Sequence, residues 1–285
     1  MESTKLFPAE KIHFTLRIAV AMCFIGHGAF GIITKPIWAN YFAVFGIHTE
    51  MAYKLMPIVG SFDILAGIIM IIYPMRIIPA WLVFWGIVTA SLRPLSGEPF
   101  AEFIERAGNY GAPLAFIFLA GAGNLFAPVP STRQPSDTDR KKLAWSLRLA
   151  AFLLLLGHAW LNLIGKKGLL DQYRTLGFAN PAQTAAIIGW IELIGACTAL
   201  LNPWRPLLLI LFFWKMSSEL FYPHWEIFEW IERGGSYGCL LALWFLTRNP
   251  LRESQDLNQR GSRQNGPASL VGRINTGARL LLQKF

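Results

Sequence analysis

Ionisable residues that recur at a fixed spacing are the strongest chemical signal in this sequence. Residues 102–111 read EFIERAGNYG and residues 229–238 read EWIERGGSYG, so seven of the ten positions are identical. Each stretch holds two glutamates, an arginine and a tyrosine, which can pair charges, bind a polar ligand or carry protons. The candidate site residues in these stretches are Glu102, Glu105, Arg106, Tyr110, Glu229, Glu232, Arg233 and Tyr237.

A histidine and a carboxylate precede each stretch, and both lie inside apolar segments. His27 and Asp63 come before the first stretch, and His158 and Glu192 hold the corresponding places before the second. An unpaired polar group in hydrocarbon is costly, so we expect each histidine to contact the carboxylate of the following segment. Such a pair either holds two helices together or handles protons and ligands, and the sequence leaves both roles open.

The spacing inside each glutamate-arginine stretch predicts one ion pair and leaves one glutamate over. Glu102 and Arg106 are spaced i,i+4, which places them on one face of a helix, and the second stretch repeats this spacing. Glu105 and Glu232 project elsewhere and need another partner. A simple interface anchor leaves these glutamates unexplained, so we interpret the stretches as lining a polar pocket. We expect the last helix to start near Phe228, because a later start leaves too few residues to cross ~30 Å of hydrocarbon.

Matching residues extend over most of the chain and indicate an internal duplication. Gly26 and His27 return as Gly157 and His158, and the offset between matching positions shortens slightly further along the chain. The offset changes only in polar loops, as expected when the loops of a duplicated unit drift apart. The predicted domains are a first copy at 1–127, a cytoplasmic linker at 128–144, a second copy at 145–248 and a basic cytoplasmic tail at 249–285.

The composition is that of a membrane protein, because 54% of the residues are hydrophobic and only 15% are charged. Most of the apolar runs approach the ~20 residues that a membrane helix needs, and tilt can complete the shorter ones. We therefore predict an all-α integral membrane protein whose eight transmembrane helices form two tandem four-helix bundles. The eight runs are 14–34, 55–73, 77–92, 109–127, 146–165, 184–202, 206–221 and 228–247.

The net charge of +9 is a topology signal. Basic residues concentrate in the tail, in the linker and in short turns at Arg76 and Arg205. With four helices per copy, these segments and the amino terminus fall on one side of the membrane, which the positive-inside rule makes cytoplasmic. We expect a multi-pass protein of the bacterial inner membrane with both termini in the cytoplasm. The lipid bilayer is the predicted partner, and no nucleic-acid partner is needed to explain the charge.

The cysteines predict no redox or metal chemistry. Cys23, Cys197 and Cys239 lie in apolar segments, form no CxxC motif and have no counterparts in the other copy. We interpret them as small core residues, which disfavours an enzyme built on a thiol relay. No metal site is predicted, and the sequence has no haem-binding CxxCH motif.

Several of these motifs together resemble the DoxX-like membrane proteins. The shared pattern is Leu-Arg followed by Gly-His in a first helix, and then an acidic residue close to Ala-Gly or Gly-Ala in a second helix. The resemblance implies a four-helix bundle whose first, second and fourth helices turn polar residues inward. By this resemblance His27 with Asp63, and His158 with Glu192, are the polar pair of each bundle. Members of the family usually have one bundle, and this chain departs from them with two copies in tandem.

The resemblance also implies a function, because the family includes the DoxD-type subunit of a thiosulfate:quinone oxidoreductase. We expect a membrane subunit of a redox system that interacts with a quinone. The sequence supplies no haem motif or cysteine cluster, so a redox partner protein would have to donate the electrons. The alternative is a non-catalytic transporter or membrane assembly factor with a small-molecule or partner site in its bundles. Whether the chain is an enzyme stays open.

Overall fold

The computed structural model describes residues 8–221 and 227–247, and their regular elements are all helices. The first six are α1 (Pro8–Ile32), α2 (Trp38–Ala43), α3 (Thr49–Ile72), α4 (Ile77–Leu95), α5 (Ala101–Glu105) and α6 (Ala107–Ala120). The next six repeat the same order of long and short helices. They are α7 (Asp137–Leu163), α8 (Lys167–Thr175), α9 (Pro181–Leu201), α10 (Arg205–Leu220), α11 (Ile227–Glu232) and α12 (Gly234–Leu246). The predicted tail at 249–285 lies outside the described residues.

Five of the described helices, α1, α3, α4, α7 and α9, are long and apolar enough to cross a membrane. Their outward faces carry exposed apolar side chains, such as Phe62 and Leu65 on α3 and Trp190 and Ile194 on α9. Large exposed apolar faces of this kind suit contact with lipid. The all-helical prediction is confirmed. The remaining apolar helices, α6, α10 and α12, have 14, 16 and 13 residues.

Capping residues set the starts of α7 and α9. The Ser136 hydroxyl accepts a hydrogen bond from the backbone N–H of Asp139 at 3.1 Å, so α7 begins at residue 137. Asn180 caps α9 in the same way, and Pro181 occupies its first turn. The predicted linker at 128–144 is therefore shorter than expected, because its segment 137–144 belongs to α7.

The first helix of each copy packs against helices of both copies. Helix α1 lies against α3 of its own copy and against α11 and α12 of the other, while α7 lies against α9 and against α5 and α6. Glycine allows this approach: a Cβ at Gly26 would lie 2.3 Å from the backbone nitrogen of Glu232, and one at Gly157 would lie 2.3 Å from that of Glu105. The described residues fall in one compact unit, so separate bundles are not confirmed.

The core lies where these central helices meet. Leu16, Phe24, Phe116, Leu147 and Leu240 are buried there, together with many alanines that allow close helix packing. Two of the three cysteines join this core, as expected. The prediction for the third is wrong: Cys197 is exposed because it lies on the outward face of α9.

Candidate functional site

Both histidines form the predicted contact with the carboxylate of the next long helix. In the first copy Nδ1 of His27 on α1 lies 2.6 Å from Oδ2 of Asp63 on α3. In the second copy Nδ1 of His158 on α7 lies 2.7 Å from Oε2 of Glu192 on α9. Both carboxylates are buried, and burial of a carboxylate without a partner in an apolar interior would be costly. The histidine of each pair supplies that partner.

A tryptophan completes each pair from a third helix. Trp85 on α4 donates its indole N–H to Oδ2 of Asp63 at 3.4 Å, and Trp214 on α10 donates to Oε1 of Glu192 at 2.9 Å. The two tryptophans stand at matched positions of the two copies. A second donor fixes the orientation of the carboxylate and hence that of the histidine it holds. The sequence showed the matched tryptophans but gave no reason to place them at the site.

The glutamate-arginine stretch is divided between two helices, so the prediction of one continuous helix is wrong. The break between α5 and α6 is at Arg106, whose φ of −82° and ψ of 13° leave the helical region. The break between α11 and α12 is at Arg233. The predicted pair of Arg106 with Glu102 survives at 3.5 Å, and Arg106 also donates to Glu105 at 3.0 Å. Breaking the helix lets one guanidinium reach both carboxylates.

The second glutamate of each stretch also has a partner in the other copy. Arg233 donates to Oε1 of Glu105. In the opposite direction Nε of Arg106 lies 3.9 Å from Oε1 of Glu232, and Asn109 donates to the same oxygen at 3.2 Å. These side chains are buried, where an ionised group is stable only with a partner. The arginine of each stretch thus lies next to the second glutamate of the other stretch.

The first glutamate of each stretch also binds a lysine of the other copy. Nζ of Lys166 lies 2.5 Å from Oε1 of Glu102, and Nζ of Lys35 lies 2.5 Å from Oε1 of Glu229. The two lysines stand at matched positions of the two copies. This recurrence is visible in the sequence. The lysines could therefore have been included among the predicted site residues on the same ground as the glutamates and arginines.

A cavity of about 100 Å³ lies beside the first histidine, between α1, α2, α4 and the glutamate-arginine stretches. One water occupies roughly 10–15 Å³ on this measure, so the cavity has room for a small ring. Trp38, Tyr41 and Trp85 form aromatic walls. The ring of His27 lies against that of Trp38, with centroids 4.5 Å apart. The site therefore offers a flat aromatic surface beside a histidine.

The cavity draws its polar lining from both copies. Four of the predicted site residues line it: His27, Arg106, Glu229 and Glu232. Three more lie behind them, each bonded to a lining residue: Asp63, Glu102 and Glu105. The two four-helix bundles predicted from the sequence would each keep their polar residues to themselves, whereas this cavity combines residues of both copies. The exchange of α11 and α12 between copies instead brings the second copy's glutamates to the first copy's histidine.

The two tyrosines of the stretches stand apart from this lining. The hydroxyl of Tyr110 donates to the backbone carbonyl of Phe103 at 3.4 Å. Tyr237 is buried against Trp230, and its hydroxyl has no hydrogen-bond partner among the residues that the structure describes. Arg233 belongs to the charge pairs between copies and does not line the cavity.

The second copy encloses its histidine with further hydrogen bonds. Asn162 donates to Oε2 of Glu192 at 3.1 Å, and the hydroxyl of Tyr173 donates to Oδ1 of Asn162 at 2.7 Å. The first copy has Gly31 and Phe42 at the matched positions. The first copy therefore lacks the side chains that make these hydrogen bonds.

Two residues of the first copy line the cavity without any signal in the sequence. They are Tyr41 on α2 and Arg93 at the end of α4. Nη1 of Arg93 lies 2.9 Å from Glu98 and 3.2 Å from Glu102, and Tyr41 donates to Glu98 at 2.5 Å. Arg93 and Tyr41 have no identical counterparts in the second copy, so a search for recurring residues could not find them.

Residues 26–31 read GHGAFG and match the G-x-G-x-x-G spacing of dinucleotide-binding loops. They lie within α1, whereas the dinucleotide motif requires a turn between a strand and a helix. The glycines pack instead: a Cβ at Gly28 would lie 2.5 Å from the carbonyl oxygen of Gly60 on α3. They bring His27 close to Asp63.

Comparisons with family models, curated proteins and solved structures found no match to this chain.

Proposed function

We propose that the cavity of the first copy binds the ring of a quinone, and that the chain is the quinone-binding membrane subunit of a redox system. The observation that carries this proposal is a ring-sized, aromatic-walled cavity with a carboxylate-backed histidine on its wall. A planar ring with two carbonyl oxygens fits such a lining, because it needs apolar contact on its faces and hydrogen-bond donors at its edges. The resemblance of short motifs in this chain to those of DoxX-like proteins supports the same assignment.

The chemistry follows from how His27 is held. Its Nδ1 is engaged by Asp63, and no other described residue bonds to its Nε2. Nε2 is therefore the ring nitrogen that can meet a carbonyl oxygen of the ligand, and Asp63 stabilises the imidazole when it carries two protons. Reduction of a quinone to a quinol takes two electrons and two protons. His27 passes protons between the ring and the aqueous phase, and a partner protein supplies the electrons.

We further propose eight membrane crossings, arranged as two copies related by a pseudo-two-fold axis along the membrane normal. The repeated order of helices supports this arrangement. So do the reciprocal ion pairs, since Lys35 with Glu229 and Lys166 with Glu102 are one interaction formed in both directions. In each copy the fourth crossing is a broken helix, with its break at the arginine. The amino terminus, the linker and the tail face the cytoplasm.

Reporter fusions test this topology. Alkaline phosphatase is active only outside the cytoplasm, so we expect an active fusion after Pro99 and an inactive one after Ser136. The opposite pattern would invert the proposed orientation.

Mass spectrometry of organic extracts tests the ligand. We expect quinone to co-purify with the wild-type protein in detergent. The variant H27L with D63L should lose it, because both the donor and its support are removed. The matched variant H158L with E192L should keep it, since that pair does not line the cavity. Equal quinone content in the two double variants would contradict the proposed site. A different small molecule in the extract would favour a carrier function.

A further inference from the structure

Lys215 and Glu219 form a buried ion pair that the proposed quinone site does not use. Both lie on α10, with Nζ of Lys215 2.6 Å from Oε1 of Glu219, and their side chains are only 2% and 4% exposed. An ion pair buried this deeply is often no more stabilising than two apolar side chains of the same size. The presence of these two charges therefore calls for a reason other than stability.

The tryptophans show which part of the first copy corresponds to Lys215. Trp85 and Trp214 both donate to the carboxylate that holds the histidine, so α4 and α10 present the same face to the site. The residue after the tryptophan is Gly86 in α4 and Lys215 in α10. Gly86 lines the cavity of the first copy. The side chain of Lys215 therefore extends from the position at which the first copy leaves space.

The second member of the pair follows the same rule. Glu219 corresponds to Ala90, so the first copy has a small residue at each position where the second has a charged one. Oε2 of Glu219 lies 3.9 Å from Nε of Arg233. The counterpart of Arg233 is Arg106, which lines the cavity. The lysine-glutamate pair thus reaches the residue that corresponds to a wall of the open site.

The backbone does not explain the glycine in the first copy. A Cβ at Gly86 would meet its nearest neighbours, the carbonyl oxygen of Asn109 and Cβ of Tyr110, at 3.4 Å, which is an ordinary contact. A larger residue would instead project into the cavity. The histidines differ accordingly, since the side chain of His27 is 18% exposed and that of His158 is 9% exposed.

We infer that Lys215 and Glu219 fill, in the second copy, the volume that holds the ligand in the first, so that each chain has one quinone site. The residue after the tryptophan determines whether a copy binds. This inference rests on the proposed quinone function. An unfilled cavity lowers the stability of the fold. In the first copy the bound ligand offsets this cost, and in the second copy the side chains of the ion pair fill the space so that no cavity forms.

Binding stoichiometry tests the inference. The probe is menadione, a naphthoquinone without a lipid tail, titrated into the purified full-length protein in lipid nanodiscs. We expect one site per chain in the wild type. K215G with E219A copies the small residues of the first copy and should give two sites. G86K with A90E copies the charged pair and should weaken binding about tenfold or more, because the added side chains occupy the cavity.

A third variant controls for effects that come from loss of the charges alone. K215M with E219L keeps the second copy filled with apolar side chains of similar size and should leave one site. Two sites in the wild type, one site in K215G with E219A, or unchanged binding in G86K with A90E would each overturn the inference while the quinone function stands. Absence of menadione binding to the wild type would overturn the quinone function itself, and the inference with it.

Discussion

The two copies form the same arrangement of histidine, carboxylate and tryptophan, but the surroundings of the two histidines differ. In the first copy His27 and Gly86 both line a cavity. In the second copy His158 is enclosed by Asn162, and a buried Lys215 occupies the position that matches the glycine. The recurring residues therefore form a common scaffold, and in our proposal the differing residues determine whether that scaffold holds a ligand. Recurrence within a sequence identifies what positions a site more readily than what the site does.

The glutamate-arginine stretches contain residues that recur in both copies, but these residues have different surroundings. Each arginine binds a glutamate of the other copy, yet only Arg106 of the two lines the described cavity. We expect the two arginines to contribute similarly to stability and differently to binding.

Removal of an arginine should have the largest effect. R233A leaves the buried Glu105 without one of its two partners and should cost about 3–5 kcal/mol of unfolding free energy. R106A should cost a similar amount and also lose quinone, whereas the folded fraction of R233A should retain it. Denaturant unfolding in detergent and quinone content of the folded fraction measure both quantities.

K54A is the control for this comparison. The pair of Lys54 with Glu50 is exposed, with side chains 65% and 84% accessible, so its loss should cost less than about 1 kcal/mol. If R233A were no more destabilising than K54A, the charge exchange between the copies would not hold the fold together.

Substitution of Gly26 or Gly157, which lie where helices of the two copies touch, should lower stability by an intermediate amount that is equal in the two copies. The methyl group of G157A would press on the backbone of Glu105, and that of G26A on the backbone of Glu232, so each should cost about 1–3 kcal/mol. Thermal unfolding of the purified variants measures this cost.

Gly86 provides the contrasting glycine. The nearest atoms to a Cβ at this position are 3.4 Å away, so G86A should change stability by less than about 1 kcal/mol. It should nevertheless weaken menadione binding, because its methyl group narrows the cavity. A strongly destabilised G86A would show that this glycine serves packing, and the distinction between the two kinds of glycine would fail.

The smallest effect should come from a wall residue that the second copy lacks. Y41F removes the hydrogen bond from Tyr41 to Glu98 and should cost about 0.5–1.5 kcal/mol. Its ring stays in place, so menadione binding should fall only severalfold. The control is Y53F, on α3, whose side chain is exposed and does not line the cavity. Equal unfolding midpoints for Y41F and Y53F would show that the hydroxyl of Tyr41 does not stabilise the fold.

Much of this architecture follows from local patterns in the sequence. The apolar runs predicted the long helices, and the need to pair buried groups predicted that His27 meets Asp63. The break at Arg106 and the exchange of partners between copies could not be predicted, because spacing within one helix describes only that helix. The cavity could not be predicted from the sequence either, because it depends on the volume left by Gly86 and on side chains that the fold brings together from separate segments.

Photoaffinity labelling tests the central claim that the first copy holds the quinone ring. The purified protein would be illuminated with an azido-benzoquinone, digested and mapped by mass spectrometry, with excess menadione as competitor. We predict competed labelling on peptides that contain Trp38 or Trp85, and none on the peptide that contains Trp214. Equal competed labelling in both copies, or labelling confined to the outward faces of α3 and α9, would contradict the account.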